Sequence, residues 1–156
     1  RVDRRQRQMC IRDRYRSVSS RPDDSLDLVM SESSAPEPVD LHAKMDEVRP
    51  LWTPHRVGRF DGHQLLLARV DGEFVWHQHD DHDEVFIPLR GTLLLDFEGG
   101  ITREVRPGSL LVVPKGVVHR PRTEGGEVEM LVLDPMGVKH TGDVQDERTV
   151  DEYPEL

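Results

Sequence analysis

Cysteine is nearly absent: the 156 residues contain one, Cys10. Long apolar runs are missing too, and none approaches the ~18 residues that a membrane-spanning helix needs. The N-terminus has basic residues with no apolar stretch behind them, so no secretory signal is expected and the expected compartment is the cytoplasm. Positive charge is also scarce. With 21 Lys and Arg against 30 Asp and Glu the net charge is -9, which argues against nucleic acid or an anionic membrane as partner.

The few clustered cations lie at the very start. Residues 4–14, RRQRQMCIRDR, resemble in one reading frame the translation of a common tagmentation adapter used to prepare DNA sequencing libraries. Residues 1–14 are therefore read as an assembly artefact and set apart from the fold. The other reading, a basic arm for nucleic acid, has only this charge in its favour. The segment holds six Arg and two Asp, a net +4, so the remainder carries -13 and no cysteine. Disulfides, thiol nucleophiles and thiolate metal ligands are then excluded from it. Translation is expected to begin at Met30.

What is present divides by composition. Residues 15–47 read as a disordered leader, Ser-, Pro- and acid-rich near MSESSAPEPVD, with a short helical turn from Leu41 that ends before Pro50. Residues 48–136 hold short runs such as HQLLLARV, EVFIPLRG, TLLLDFEGG, SLLVVPKG and EVEMLVLD, separated by Gly and Pro. Runs of this length, rich in Val, Leu, Ile and Phe, predict strands, and no helical period interrupts them. The fold class is all-β, a sandwich or a barrel. Residues 137–156 form an acidic C-terminal tail, expected to be loosely packed or disordered.

One stretch, HQHDDHDE at 77–84, concentrates three histidines and four carboxylates. Residues two apart on a strand share a face, so His77 and His79 can converge on one ion. A turn over 80–83 would return Glu84 beside them, and His119, in PKGVVHRP, is a distant fourth candidate. Three imidazoles and a carboxylate suit one divalent metal ion, Fe, Mn, Ni, Zn or Co, with positions left for water or substrate. His82 and its neighbouring aspartates read as solvated loop, and His42, His55, His63 and His140 as structural or surface residues.

The segment GEFVWHQHDDHDEVFIPLRG resembles the first cupin motif: Gly72, His77-x-His79, four residues, Glu84, six residues, Gly91. The spacer after Gly72 is one residue shorter than usual. GSLLVVPKGVVH resembles the second motif, through Gly108, Pro114, Gly116 and His119, with Thr123 where an Asn is common. The resemblance implies an antiparallel jelly-roll-type barrel of about six to ten strands, with one metal ion held by His77, His79, Glu84 and His119. It also implies a small-molecule ligand or substrate and a homodimer.

Strand parity places Val75 inward and Phe74 and Trp76 outward. Phe74, Trp76 and Trp52 thus become candidates for the dimer contact, unless the chain around Trp52 folds over them. Phe86 shares the face of Glu84 and should wall the pocket. Gly72, Gly91, Gly108 and Gly116 read as turn residues. A sugar-phosphate isomerase or a dioxygenase would suit such a barrel, with a non-catalytic binding module as the alternative. For the isomerase, Arg69, Lys115, Arg120 and Arg122 are the available cations, and they form no evident phosphate clamp.

Overall fold

The computed structural model describes residues 35–156; the adapter-like segment and Met30 lie outside them. Residues 38–156 form one unit. It contains one short helix, α1 (Leu41–Met45), and eight strands: β1 (His55–Phe60), β2 (His63–Val70), β3 (Glu84–Arg90), β4 (Leu93–Phe97), β5 (Ile101–Val105), β6 (Leu111–Val113), β7 (His119–Thr123) and β8 (Val128–Pro135). All strand pairs are antiparallel. One sheet has the order β1-β2-β8-β3-β6 and the other β5-β4-β7.

Alternation along the strands builds the interior. In β2 and β8 the residues at 64, 66, 68, 70 and at 128, 130, 132, 134 are buried, and the full-length β2–β8 ladder pairs Gln64 with Asp134 and Val70 with Val128. Glu84, Phe86 and Pro88 do the same in β3. The core joins these to Leu93, Leu95, Val105 and Val113 from the other strands. Removing a side chain the size of Leu or Phe from water stabilises by ~1.5–3 kcal/mol, so this face fixes strand register. The β1–β2 turn is Asp61-Gly62, both at positive φ (43° and 77°), as a two-residue hairpin turn of matching twist requires.

The short helix does form. Asp40 caps it by accepting from the amides of His42 (3.0 Å) and Ala43 (3.1 Å). Met45 and Val48 are buried against Leu67, with Val57, Leu89 and Leu131 around them, a second cluster apart from the main core.

The C-terminal residues depart from expectation. They are acidic, but not loose: Tyr153, His140 and Thr141 are buried. The Tyr153 hydroxyl donates to the Val138 carbonyl (3.1 Å), and Leu156 and Pro154 exchange backbone bonds with Arg56 (3.0 and 2.7 Å). Tyr153 belongs to the main core and half-buried Val150 packs against it, an apolar contribution that the acidic composition hides.

Candidate metal centre

The chain between β2 and β3 is not a regular strand, yet it carries two of the site residues. His77 and His119 exchange backbone bonds, N–H to O=C, at 3.0 and 2.9 Å. This bridge brings the His-x-His segment against the start of β7 across about 40 residues of sequence. His79 is anchored where its carbonyl accepts from the Gly116 amide (2.7 Å). Glu84 opens β3, opposite Val113 of β6.

All four expected ligands are buried, and one ligand atom from each of His77, His79, Glu84 and His119 lies within 4.8 Å of the others. Carbonyls fix two of the rings. Nδ1 of His77 faces the Val75 oxygen and Nδ1 of His119 the Val117 oxygen, both at 3.0 Å. A carbonyl only accepts, so Nδ1 carries the proton and the Nε2 lone pair points inward. Glu84 Oε2 lies 3.1 Å from His119 Nε2 and 3.3 Å from His79 Nε2. Two lone-pair atoms at such a distance repel unless a positive charge lies between them. The Nε2 atoms of His77 and His79 are buried without a hydrogen-bond partner. The donor set therefore fits a divalent ion, and these four residues could hold one.

Burial opposes ionisation of Glu84, but the His119 and His79 rings beside it outweigh burial and hold the carboxyl well below its usual range. His77 is pushed down to about 4, chiefly by burial. It is thus neutral, the form that ligates metals.

Four features depart from the sequence reading. Phe74 faces inward: it is buried, with its ring stacked on Trp52 at 4.7 Å. Parity fails because residues 74–76 are irregular, so the folded-over alternative holds for Phe74 and Trp52, while Trp76 is exposed as expected. His82 is not a solvated loop residue. Its ring lies 4.4 Å from that of His79, and its Nε2 is buried. Asp134 is a third, and the sequence reading assigns it no role. It is fully buried with neither carboxylate oxygen hydrogen-bonded, and burial, then Glu84, pushes its carboxyl well above the usual range. Its signal was available in the parity of EVEMLVLD, which puts it on the face of Met130 and Val132.

His140 is the fourth. It is buried, stacked on Phe74 at 5.5 Å, and lines one cavity of about 30 Å³ together with His77 and Glu84. Burial pushes it down to about 4; the Glu84 charge, then the backbones of Trp52 and Arg148, oppose this, but neither ring nitrogen reaches hydrogen-bond geometry. No periodicity in the sequence around it could have placed it there. Phe86 does wall this cavity, as expected. The four candidate cations do not: Arg69 pairs with Glu127 (2.6 Å), Arg120 and Arg122 both pair with Asp96 (2.8 Å each), and Lys115 lies away from the lining.

The two depressed histidines give a pH dependence. At pH values between about 4 and 6.5 the folded protein keeps His77 and His140 neutral while the unfolded chain protonates them, so unfolding takes up protons. Their contribution is full above pH 6.5 and lost as pH falls towards 4, by at most ~1.4 kcal/mol per pH unit for each group. The urea midpoint of metal-free protein should drop from pH 6.5 to 4.5, and His140→Gln should flatten that slope. An unchanged slope would place His140 in contact with water.

An antiparallel barrel enclosing three histidines and a glutamate is the class of molecule these features define. The Cupin domain model matches residues 65–135. The uncharacterized protein YdbB of Bacillus subtilis (strain 168) is 37% identical over 93 residues, 60% of this chain and 82% of that protein. Among solved structures, a cupin-2 domain containing protein from Shewanella frigidimarina NCIMB 400 is 34% identical, with a TM-score of 0.60, covering 62% of this chain and 93% of that one. Protein NMB1881 from Neisseria meningitidis is 30% identical, with a TM-score of 0.58, covering 64% and 99%. The chain belongs to the cupin family. Among the described residues no helix is long and apolar enough to cross a membrane.

Proposed function

We propose that this protein is a small cytoplasmic metal-dependent enzyme acting on a small oxygenated molecule, of the dioxygenase type in preference to the sugar-phosphate isomerase type. The observation that carries the reading is the buried set of His77, His79, Glu84 and His119, with inward lone pairs and one carboxylate. A divalent ion there would supply Lewis acidity and, if redox-active, electrons for dioxygen chemistry. The chain's own contribution is to orient the His77 and His119 rings through the Val75 and Val117 carbonyls, to keep His77 neutral by burying it, and to exclude water with an apolar wall.

The cavity wall favours oxygenation over isomerisation. It contains no Arg or Lys to neutralise a phosphate, and its about 30 Å³ admits something the size of water or dioxygen while the barrel is closed. The same smallness favours the second reading, a non-catalytic binding module. Exposed Trp76, under the Arg120 guanidinium (5.0 Å), marks the face where we place the homodimer contact; light scattering on Trp76→Ser would read a loss of dimer.

Elemental analysis of untagged protein, run beside an oxygen electrode, tests the main reading. About one iron per chain, with oxygen uptake on adding oxidisable hydroxylated molecules, is expected. Zinc, manganese or nickel without uptake would move the assignment to isomerisation, and absence of any metal would leave the binding module.

A further inference from the structure

The metal set is not all that faces the barrel interior. Among the residues lining the cavity beside His77 and Glu84, His140 is the side chain outside that set with buried, unpartnered polar atoms. The rest of the wall is apolar except for the Trp52 indole N–H, which is already donated to the Asp71 carbonyl (2.9 Å). Leaving a buried polar group without a partner costs ~1–3 kcal/mol. A leucine or phenylalanine would fill the same space without that cost, so packing alone does not account for a histidine here.

The ring is also held firmly. It stacks on Phe74 with an interplanar angle of 27° and meets the edge of Tyr153 at 5.9 Å. Phe74 is backed in turn by Trp52 and by the Arg148 guanidinium, 4.7 Å from its ring centre. Arg148 is tied to the Glu73 carbonyl (2.8 Å) and to Asp146 (2.6 Å). His140 lies beyond residues 65–135, the stretch that the Cupin domain model matches.

We propose that His140 is a ligand-contacting residue, hydrogen-bonding the hydroxyl of a small apolar molecule that occupies the cavity beside the His77, His79, Glu84 and His119 cluster. A neutral imidazole offers one N–H and one lone pair, which match a hydroxyl group, a donor and an acceptor at once. The apolar wall matches the body of the molecule, so the ligand class is a hydroxylated aromatic or aliphatic compound without phosphate. Admitting anything larger than water requires the C-terminal residues that carry His140 to move outward.

This rests on the proposed metal-dependent reading, and the experiment separates the two. Full-length protein is loaded with zinc, its metal content measured, and phenol binding followed by calorimetry, with toluene as the ring without the hydroxyl. His140→Ala should keep its metal and weaken phenol binding by about tenfold, the value of one neutral hydrogen bond, without weakening toluene. His140→Gln, which retains a donor and an acceptor, should recover most of the phenol affinity. Equal phenol binding by wild type and His140→Ala would overturn the inference, as would equal weakening of phenol and toluene, absence of phenol binding by the wild type, or loss of metal from both variants. A wild type that takes up no zinc would overturn the metal reading alone, since the same phenol comparison on metal-free protein still decides the role of His140.

Discussion

Replacing His119 with alanine should reduce bound metal from about one ion per chain to less than about a tenth, read by elemental analysis after dialysis. The side chain is fully buried, and its Nε2 is within 3.1 Å of the Glu84 carboxylate. Removing one of four ligands leaves a three-ligand set with a hole where an imidazole stood. The fold suffers as well. The lost ring also packs 5.9 Å from Phe86 and 4.3 Å from His77, and a cavity of that kind costs ~2–4 kcal/mol. Denaturation in the presence of a chelator isolates this second effect from the loss of metal. His77→Ala should behave likewise. If both variants retain their metal, the ion is bound elsewhere and the family resemblance misleads at this chain's centre.

Gly142→Ala has the other large expected effect, and acts by a different route. Gly142 has φ +57°, and a Cβ built on it would fall well inside contact distance of the Gln78 carbonyl oxygen, with His79 Nδ1 at 3.6 Å. The obstructing atom is backbone, held between two metal-site histidines, and cannot swing aside as a long side chain can. The C-terminal residues must then lift away from the His-x-His segment. We expect a loss of ~2–4 kcal/mol in urea unfolding, together with faster hydrogen exchange and proteolysis across residues 137–156. Gly137→Ala is the control: its φ is +81° and nothing lies within 4 Å of the added methyl, so only the backbone cost of ~1 kcal/mol applies. If the two variants unfold alike, Gly142 is not the point at which the segment seats.

The sequence was most informative where geometry repeats. His77, His79, Glu84 and His119 were recognisable because two-residue parity and fixed motif spacing place them without knowledge of the turns between. Phe86 and the main core followed from the same alternation, and Asp134 was within reach of it. Parity misplaces Phe74 because residues 74–76 lack a strand's regular pleat. His140 and the seating of Tyr153 were not legible at all. Both depend on an irregular segment whose path is set by long-range contacts, such as Arg148 on Phe74 and Leu156 on Arg56, and no local period encodes those. Composition misleads at His82 for the opposite reason: its neighbours Asp80, Asp81 and Asp83 are exposed, but its own ring packs beside that of His79.

The paired peptide bonds between His77 and His119 have a consequence for how such a centre can change. Because amide and carbonyl groups hold the two positions together, the spacing between them does not depend on which side chains they bear. A replacement at either position that keeps a metal donor would change the surroundings of an ion held there while leaving the pairing of the two backbone segments intact. Donor-for-donor replacements at these two positions would therefore change which metal suits the site without any rebuilding of the barrel.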